Sequence, residues 1–402
     1  MLQPEDIRAK PDEAFIARVR RTWTVEPEVD HVLTRKLRRR SGPGYTAIPL
    51  TTLIEGTTKL IARHIGGDFR LENPRWLQGG ASKLQMAFDL TWSPDGRVER
   101  TPMVLRMEPP ESIVETSRRR EFEMIRAMRG IVPVPPVYWI DPEGEDLPYP
   151  ALVYGFAEGI IQPKPRPGQA VRGAGTNFSP ELRAAISAQF VRHLAAIHTV
   201  PAEHLQGLKW FSPAKVGSNE SVIRQVNWWR RVWEEDRPIE NPLMDVAYRW
   251  LIDNAPALDH ISVVHGDYRA GNFLFTEHDQ TITAILDWEL SVLGDRHQDL
   301  TWCTRKAQSR YAEDGETLLA SGLIPADQFF ERYERASGLS IDPWRLQYYQ
   351  LFNDYCSTVH MVATAWRVSN YGKTHQDIVV AWTSVGGNVI LGRLREQLEE
   401  LA

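Results

Sequence analysis

The chain has 402 residues, 42% of them apolar and 25% charged, with a formal net charge of −5. That length exceeds one compact core and predicts two lobes, and the charge provides no field for nucleic acid. Two cysteines, Cys303 and Cys356, lie outside any CxxC pair, which argues against a disulfide framework or a structural zinc site. The polar N-terminal residues lack the apolar stretch of a signal peptide, and no long apolar run predicts a membrane span, so a cytoplasmic protein is expected.

Residues 1–70 read as an N-terminal helical extension. Its basic run, Arg35, Lys36, Arg38, Arg39 and Arg40, is followed by Ser41-Gly42-Pro43-Gly44. A solvated helix end closed by a Gly/Pro stop is one reading, and an anion site is the other. Thr51 to Ile65 carries Leu53, Ile54, Leu60, Ile61 and Ile65 at amphipathic-helix spacing.

Residues 71–157 are expected to form a first lobe. From Arg75 the pattern turns to strands. Trp76-Leu77 leads into the glycine turn of Gln78 to Ser82, and Gln85 to Trp92 alternates apolar and polar side chains. Ser93-Pro94-Asp95-Gly96 is turn chemistry joining it to a second strand, Pro102 to Met107. Glu111 to Met128 reads as a helix with Ile113, Phe122, Ile125 and Met128 on its apolar face. Val137 to Ile140 and Ala151 to Tyr154 are short strands.

Residues 158–402 are expected to form the larger, mostly helical lobe. Ile161 to Phe178 is rich in Pro and Gly and reads as a linker, in which Lys164 and Arg166 could meet an acceptor's phosphates. Ser179-Pro180 opens a helix, and Asn219 to Glu235 forms another with Trp228, Trp229 and Trp233. The chain is helical again from Pro325. Fourteen tryptophans are either large core side chains or the lining of an aromatic pocket.

The richest stretch is ISVVHGDYRAGNFLFTEHDQTITAILDWELSVLGDRHQDLTW, residues 261–302. Val263-Val264 leads into His265-Gly266-Asp267; Asn272 comes five residues after that Asp; a hairpin then brings back Asp287. Two carboxylates and a carboxamide at the mouths of short strands suit phosphoryl transfer. That reaction needs an orienting carboxylate at the acceptor hydroxyl and hard oxygen ligands for Mg²⁺.

HGDYRAGNFLF followed by ILDWELSVLGDRHQDLTW resembles the aminoglycoside phosphotransferase family, relatives of choline kinases, and within it the branch also found fused to acyl-CoA dehydrogenases. The resemblance implies an α+β, protein-kinase-like two-lobed fold: a small antiparallel sheet with one helix, then a mostly α-helical lobe. It implies ATP and Mg²⁺ as cofactors, Asp267 as the catalytic Asp, and Asn272 and Asp287 as metal ligands. His265 and His198 are expected to be structural, and Asp299 to brace the loop. Arg269 faces either the transferred phosphate or a surface salt bridge. Gly79, Gly80 and Ser82 fall in the place of the phosphate-covering loop. Val153, Tyr154 and Phe156 fall in the interlobe hinge, whose backbone pairs with adenine. Where the kinase pattern has a Lys, this chain has Arg106, with Glu121 as its partner and Glu123 as the fallback; Arg keeps the charge but is not a neutral replacement.

The implied partners are a nucleotide and a small-molecule acceptor, with homodimer formation open and with neither nucleic acid nor membrane. By likeness to that branch, the acceptor is expected to be a hydroxyacyl-CoA or related hydroxylated metabolite. An aminoglycoside or macrolide is the alternative, and a nucleotide-binding pseudokinase or scaffold is the reading outside catalysis.

Overall fold

The structure, a computed structural model, describes residues 6–77, 83–163 and 178–401. The expected phosphate-covering residues Gly79, Gly80 and Ser82, and the linker residues Lys164 and Arg166, lie outside the described residues.

Three helices come first: α1 (Glu13–Thr22), α2 (Pro27–Arg39) and α3 (Leu50–Ala62). Five strands follow, β1 (Arg70–Trp76), β2 (Leu84–Trp92), β3 (Glu99–Met107), β4 (Val137–Asp141) and β5 (Ala151–Gly155), with α4 (Arg118–Met128) between β3 and β4. They form one antiparallel sheet in the order β1-β2-β3-β5-β4. Strand alternation sends Met86, Phe88 and Leu90 of β2, and Met103, Leu105 and Met107 of β3, to one face. There they pack with Leu53, Leu60 and Ile61 of α3. The opposite face, with Gln85, Val104, Arg106 and Tyr154, is left to line a cleft.

The helical lobe contains α5 (Pro180–His198), the short α6 (Ala202–Leu205), α7 (Glu220–Asp236), α8 (Pro242–Asp253), α9 (His297–Thr304), α10 (Ala326–Ser337), α11 (Pro343–Thr358), α12 (Ala365–Asn370), α13 (Asp377–Val385) and α14 (Gly387–Glu400). Ser179 caps α5 by accepting from Leu182 N, with Pro180 in its first turn. Two antiparallel pairs hold the motif region: β6 (Ser262–Val264) with β9 (Val292–Gly294), and the hairpin of β7 (Phe273–Thr276) with β8 (Thr281–Ile285). A further three-stranded sheet spans Arg310 to Pro325. Among the described residues no helix is long and apolar enough to cross a membrane.

Several expectations need correction. The helix expected from Glu111 begins at Arg118, because Ser117 caps it there by accepting from Arg120 N. The segment before it instead buries Glu111, Ser112, Glu115 and Thr116. Lys36 and Arg40 of the basic run are not solvated. Lys36 lies 2.9 Å from Glu235 and 3.2 Å from Asp236, and Arg40 reaches Glu111 at 3.0 Å and Asp236 at 2.6 Å. The anions these cations meet are carboxylates of their own chain. Burial alone would raise the Asp236 carboxyl, but Lys36, Arg40 and Arg367 hold it well below the usual carboxylate range. Trp228, Trp229 and Trp233, with Tyr348, Tyr349 and Tyr355, are core residues of the helical lobe.

Candidate active site

Strand β6 ends at Val264, and the chain turns out of the sheet through His265-Gly266-Asp267. Gly266 has φ +86°, and a Cβ there would lie 2.8 Å from Leu290, so glycine alone fits the turn. Asp299, buried on α9, accepts from His265 N at 2.7 Å and Gly266 N at 2.9 Å. His198 Nε2 lies 3.1 Å from the same carboxylate, and His198 Nδ1 lies 2.7 Å from the Tyr333 hydroxyl. Burial, against the pull of Asp299, lowers the His198 pKa. The His265 ring spans the site: Nε2 donates to Leu286 O at 3.0 Å, and Nδ1 accepts from Asp267 N at 3.3 Å. Both histidines and Asp299 therefore brace the loop.

The Asp267 carboxylate accepts from three side chains. Arg269 Nε reaches Oδ1 at 2.9 Å, Trp302 Nε1 reaches Oδ1 at 2.7 Å, and Asn272 Nδ2 reaches Oδ2 at 2.6 Å. Arg269 thus faces the motif carboxylate, and Asp267 raises its pKa further. Asn272 Nδ2 also donates to Asp267 O at 2.9 Å. With its nitrogen so engaged, the amide leaves Oδ1 as a hard oxygen ligand.

Asp287 follows β8 in the left-handed region, φ 67° and ψ 52°, a conformation that non-glycine residues adopt at a cost. Leu286 N donates to Asn272 O at 2.8 Å, which places Asp287 beside Asn272 at the mouth of the β7–β8 pair. Arg106 Nη2 bonds Asp287 Oδ1 at 2.5 Å, and its guanidinium lies 3.4 Å from both Glu121 and Glu289. The expected Arg106–Glu121 pair is therefore present, and Glu123 instead accepts from Lys209 N and Trp210 N.

Four groups escaped the sequence reading. Glu289 meets Arg106, Arg118 at 2.9 Å and Lys83 at 3.1 Å. Burial opposes its ionisation, yet these three cations hold it well below the usual carboxylate range. Arg118 also pairs with Glu121 and Glu108. Trp302 supplies the third donor on Asp267. The sequence signals were the Asp-Trp-Glu spacing at 287–289 and a lone Lys after the glycine turn.

Arg106, Asn272 and Asp287 close one end of a cleft of about 470 Å³, within the range of small-ligand sites. Leu77, Val104, Phe156, Ile160, Leu274 and Leu286 give it apolar walls, and Arg106, Asn272 and Asp287 form its polar end. Tyr154 and Phe156 line it. Val153 does not: its side chain is fully buried on the α3 face, and its backbone pairs with Leu105 and Trp139 within the sheet. Ala157, one residue past Phe156, lines the cleft as well. Burial, with Glu121 and Asp287 nearby, pushes the Tyr154 hydroxyl up to about 12. A larger open hollow of about 880 Å³ runs along the outer edge of the sheet, from His64 to Glu72 and Thr91 to Pro94, and none of Arg106, Asp267, Asn272 and Asp287 lines it among the described residues.

Among the described residues no group of three His, Cys, Asp or Glu side chains could hold a metal ion. Asn272 and Asp287 offer two hard oxygens. That set fits Mg²⁺, which takes one or two protein ligands and completes its shell with water and phosphate oxygens.

The family model described as the phosphotransferase enzyme family (APH) matches residues 87–343. Among curated proteins, the chain is 29% identical over 262 residues to "Probable acyl-CoA dehydrogenase IBR3" of Arabidopsis thaliana, covering 60% of this chain and 30% of that protein. It is 29% identical over 210 residues to "Acyl-CoA dehydrogenase family member 10" of Mus musculus, covering 51% and 18%. The chain thus spans less than a third of the length of these relatives. Among solved structures it resembles a Ralstonia eutropha protein named as an aminoglycoside phosphotransferase, with TM-score 0.60, 21% identity, and coverage of 88% of this chain and 99% of that one. It also resembles the gentamicin complex of APH(2")-IIa, with TM-score 0.52, 13% identity, and coverage of 86% and 97%. At these identities the likeness carries the two-lobed kinase-like fold.

Proposed function

We propose that this chain, which belongs to the phosphotransferase enzyme family, transfers the terminal phosphoryl group of ATP to a hydroxyl of a small molecule with the aid of Mg²⁺. The observation that carries this reading is the meeting of Asn272, Asp287 and Arg106 at the polar end of an apolar-walled cleft, with Asp267 bonded to Asn272 beside it. The walls suit a flat aromatic base, and the polar end suits a phosphate chain.

Asp267 is the acceptor-side group. Three donors leave its carboxylate about one of roughly four lone-pair directions free. That direction receives the acceptor hydroxyl, orients its oxygen toward the terminal phosphorus, and takes the proton as the new O–P bond forms. The bond from that phosphorus to the bridging oxygen breaks, and ADP leaves with the electron pair. Because the transition state is loose, positioning and charge matter more than strong base catalysis. Asn272 Oδ1 and Asp287 would hold Mg²⁺, which neutralises phosphate oxygens when bound. Arg106, whose guanidinium bonds Asp287, adds fixed positive charge there. Residues 71–157 would act as the nucleotide lobe and 158–402 as the catalytic and acceptor lobe. The extension 1–70 would clamp them through α3 on the sheet and the Lys36 and Arg40 ion pairs on α7.

For the acceptor, a hydroxyacyl-CoA or related hydroxylated metabolite is the reading that the names of the curated relatives favour. The gentamicin complex of a structural neighbour makes an aminoglycoside the competitor. A coupled ADP-release assay decides between them, run with hydroxyacyl-CoAs, free hydroxy acids, amino alcohols and gentamicin, with product mass checked for one added phosphate. Phosphorylation of gentamicin alone would reverse the acceptor assignment. ADP release that persists in Asp267→Asn would remove the role given to that carboxylate.

A further inference from the structure

Behind the motif carboxylate lies a second, smaller chamber, of about 20 Å³, between α7, α9, α11 and the catalytic loop. That is room for one water-sized group. Gly266 lines it, as does Trp302, whose indole N–H holds Asp267 at 2.7 Å. The chamber therefore abuts the acceptor side of the site and not the nucleotide cleft.

Its lining is chemically unusual. Gln225 Nε2, Trp228 Nε1, Gln298 Oε1 and His360 Nε2 are buried polar atoms without a hydrogen-bond partner among the described residues, and all four residues line this one chamber. Buried polar groups are nearly always satisfied, so four orphans on one small space point to something that fills it. Gln225 Nε2 also lies against β9, where a Cβ on Gly294 would come within 2.6 Å of it. His360 comes from a π-helical turn, Val359–Thr364, of a kind that recurs at functional sites. Burial lowers its pKa to about 4, so its ring is neutral.

Among the described residues no Asp, Glu, Lys or Arg lines the chamber. An ammonium group would find no counter-charge there, and a carboxylate would meet Gln298 Oε1 with no cation to offset its desolvation. Two orphan donors, one orphan acceptor and one ring nitrogen match a group that both accepts and donates, or accepts twice.

We propose that this chamber is an acceptor subsite that reads one uncharged oxygen-bearing group, a carbonyl or hydroxyl, of the molecule being phosphorylated. It rests on the phosphotransferase reading and narrows it. With that group seated against Gln225 and Trp228, the acceptor's reactive hydroxyl lies on the Asp267 side of Trp302. A thioester carbonyl or a neighbouring hydroxyl qualifies as the seated group.

The test uses Gln225→Met and Trp228→Phe, which remove a donor and keep the volume or the ring. Acceptor-stimulated ADP release is measured with a hydroxyacyl-CoA, a free hydroxy acid, an amino alcohol and gentamicin, and ATP affinity by calorimetry. Each variant should raise the acceptor KM about three- to tenfold, the effect of one neutral hydrogen bond, with kcat less affected and ATP affinity unchanged. An unchanged KM in both variants, with or without a lower unfolding temperature, would mark the occupant as an internal water and overturn the proposal. So would failure of every acceptor bearing an uncharged oxygen group to stimulate a wild-type protein that binds ATP. A wild-type protein that binds no ATP would instead remove the phosphotransfer reading on which the subsite depends.

Discussion

Asp299→Asn tests how the catalytic loop is held. In the wild type one buried carboxylate accepts from His265 N, Gly266 N and His198 Nε2 at 2.7, 2.9 and 3.1 Å. An amide of the same shape has a single acceptor oxygen, so its NH₂ must face at least one of these donors. A hydrogen bond to a charged group contributes about 1.5–3 kcal/mol, and the bonds that remain lose the charge, so a cost of about 2–4 kcal/mol follows. The loop is expected to shift instead of unfolding globally, because Asp267 keeps its ties to Trp302 and Asn272. A displacement of about 1 Å at a reacting group lowers rates by about 100-fold. Turnover should therefore fall about 100-fold while ATP affinity, which the proposed function assigns to groups from β3 and the β7–β8 pair, is retained. The assay is acceptor-stimulated ADP release alongside urea unfolding followed by tryptophan fluorescence. A variant with wild-type turnover and an unchanged unfolding midpoint would refute the bracing role.

Other perturbations probe the charge network and the extension. Arg106→Met leaves Glu121, Asp287 and Glu289 sharing one cation fewer in a buried setting; breaking such a cluster costs about 3–5 kcal/mol, seen as a lower unfolding midpoint together with weakened ATP binding in calorimetry. Arg106→Lys keeps the charge but loses the fork that reaches three carboxylates, so its ATP affinity should lie between those of wild type and the Met variant. Lys36→Met strips Glu235 and Asp236 of a buried partner and should lower the unfolding midpoint without changing acceptor KM. Because the folded Asp236 pKa is depressed, the stability it contributes is present above its ordinary carboxyl range and lost as pH falls through it; the acid limb of a stability–pH profile should flatten in Lys36→Met. His360 behaves in the related way for a base: its folded pKa is lowered from 6.5 to about 4, so the unfolded chain binds the extra proton between those values and stability falls as pH drops from 6.5 toward 4. His360→Asn should reduce that loss in the same profile.

Much of the site was legible because its chemistry is contiguous. Asp267, Asn272 and Asp287 lie within one loop and the hairpin after it, so their convergence follows from strand ends and turns. The pairing of Arg106 with Glu121 came from the family resemblance, which sets a cation on this strand against a Glu of the following helix, with Glu123 as the fallback. Long-range pairings were not. Nothing near Lys36 or Arg40 announces that Glu235 and Asp236, some 200 positions later, will bury them, and a basic run beside a Gly/Pro stop reads as solvated. Glu289 and Lys83 meet only because the sheet and the β9 turn pack together. The helix at 111–128 was overextended because a run of Glu and Ser looks like an exposed face, whereas these side chains fold into the charge network between the lobes. Val153 shows a related limit: alternation around Tyr154 puts its side chain on the α3 face, away from the cleft that a linear hinge motif suggests. The tryptophans of α7 form core on one side and chamber wall on the other, a distinction set by neighbours from α11 and the π-helical turn.

The most direct test is nucleotide calorimetry in the presence of Mg²⁺ on Asp267→Asn and Asp287→Ala side by side. Asp287→Ala should abolish Mg²⁺-dependent ATP binding, while Asp267→Asn should bind ATP as the wild type does and transfer nothing. Equal losses of affinity in the two variants, or ATP binding that ignores both Asp287 and the metal, would contradict the division between a metal-side and an acceptor-side carboxylate.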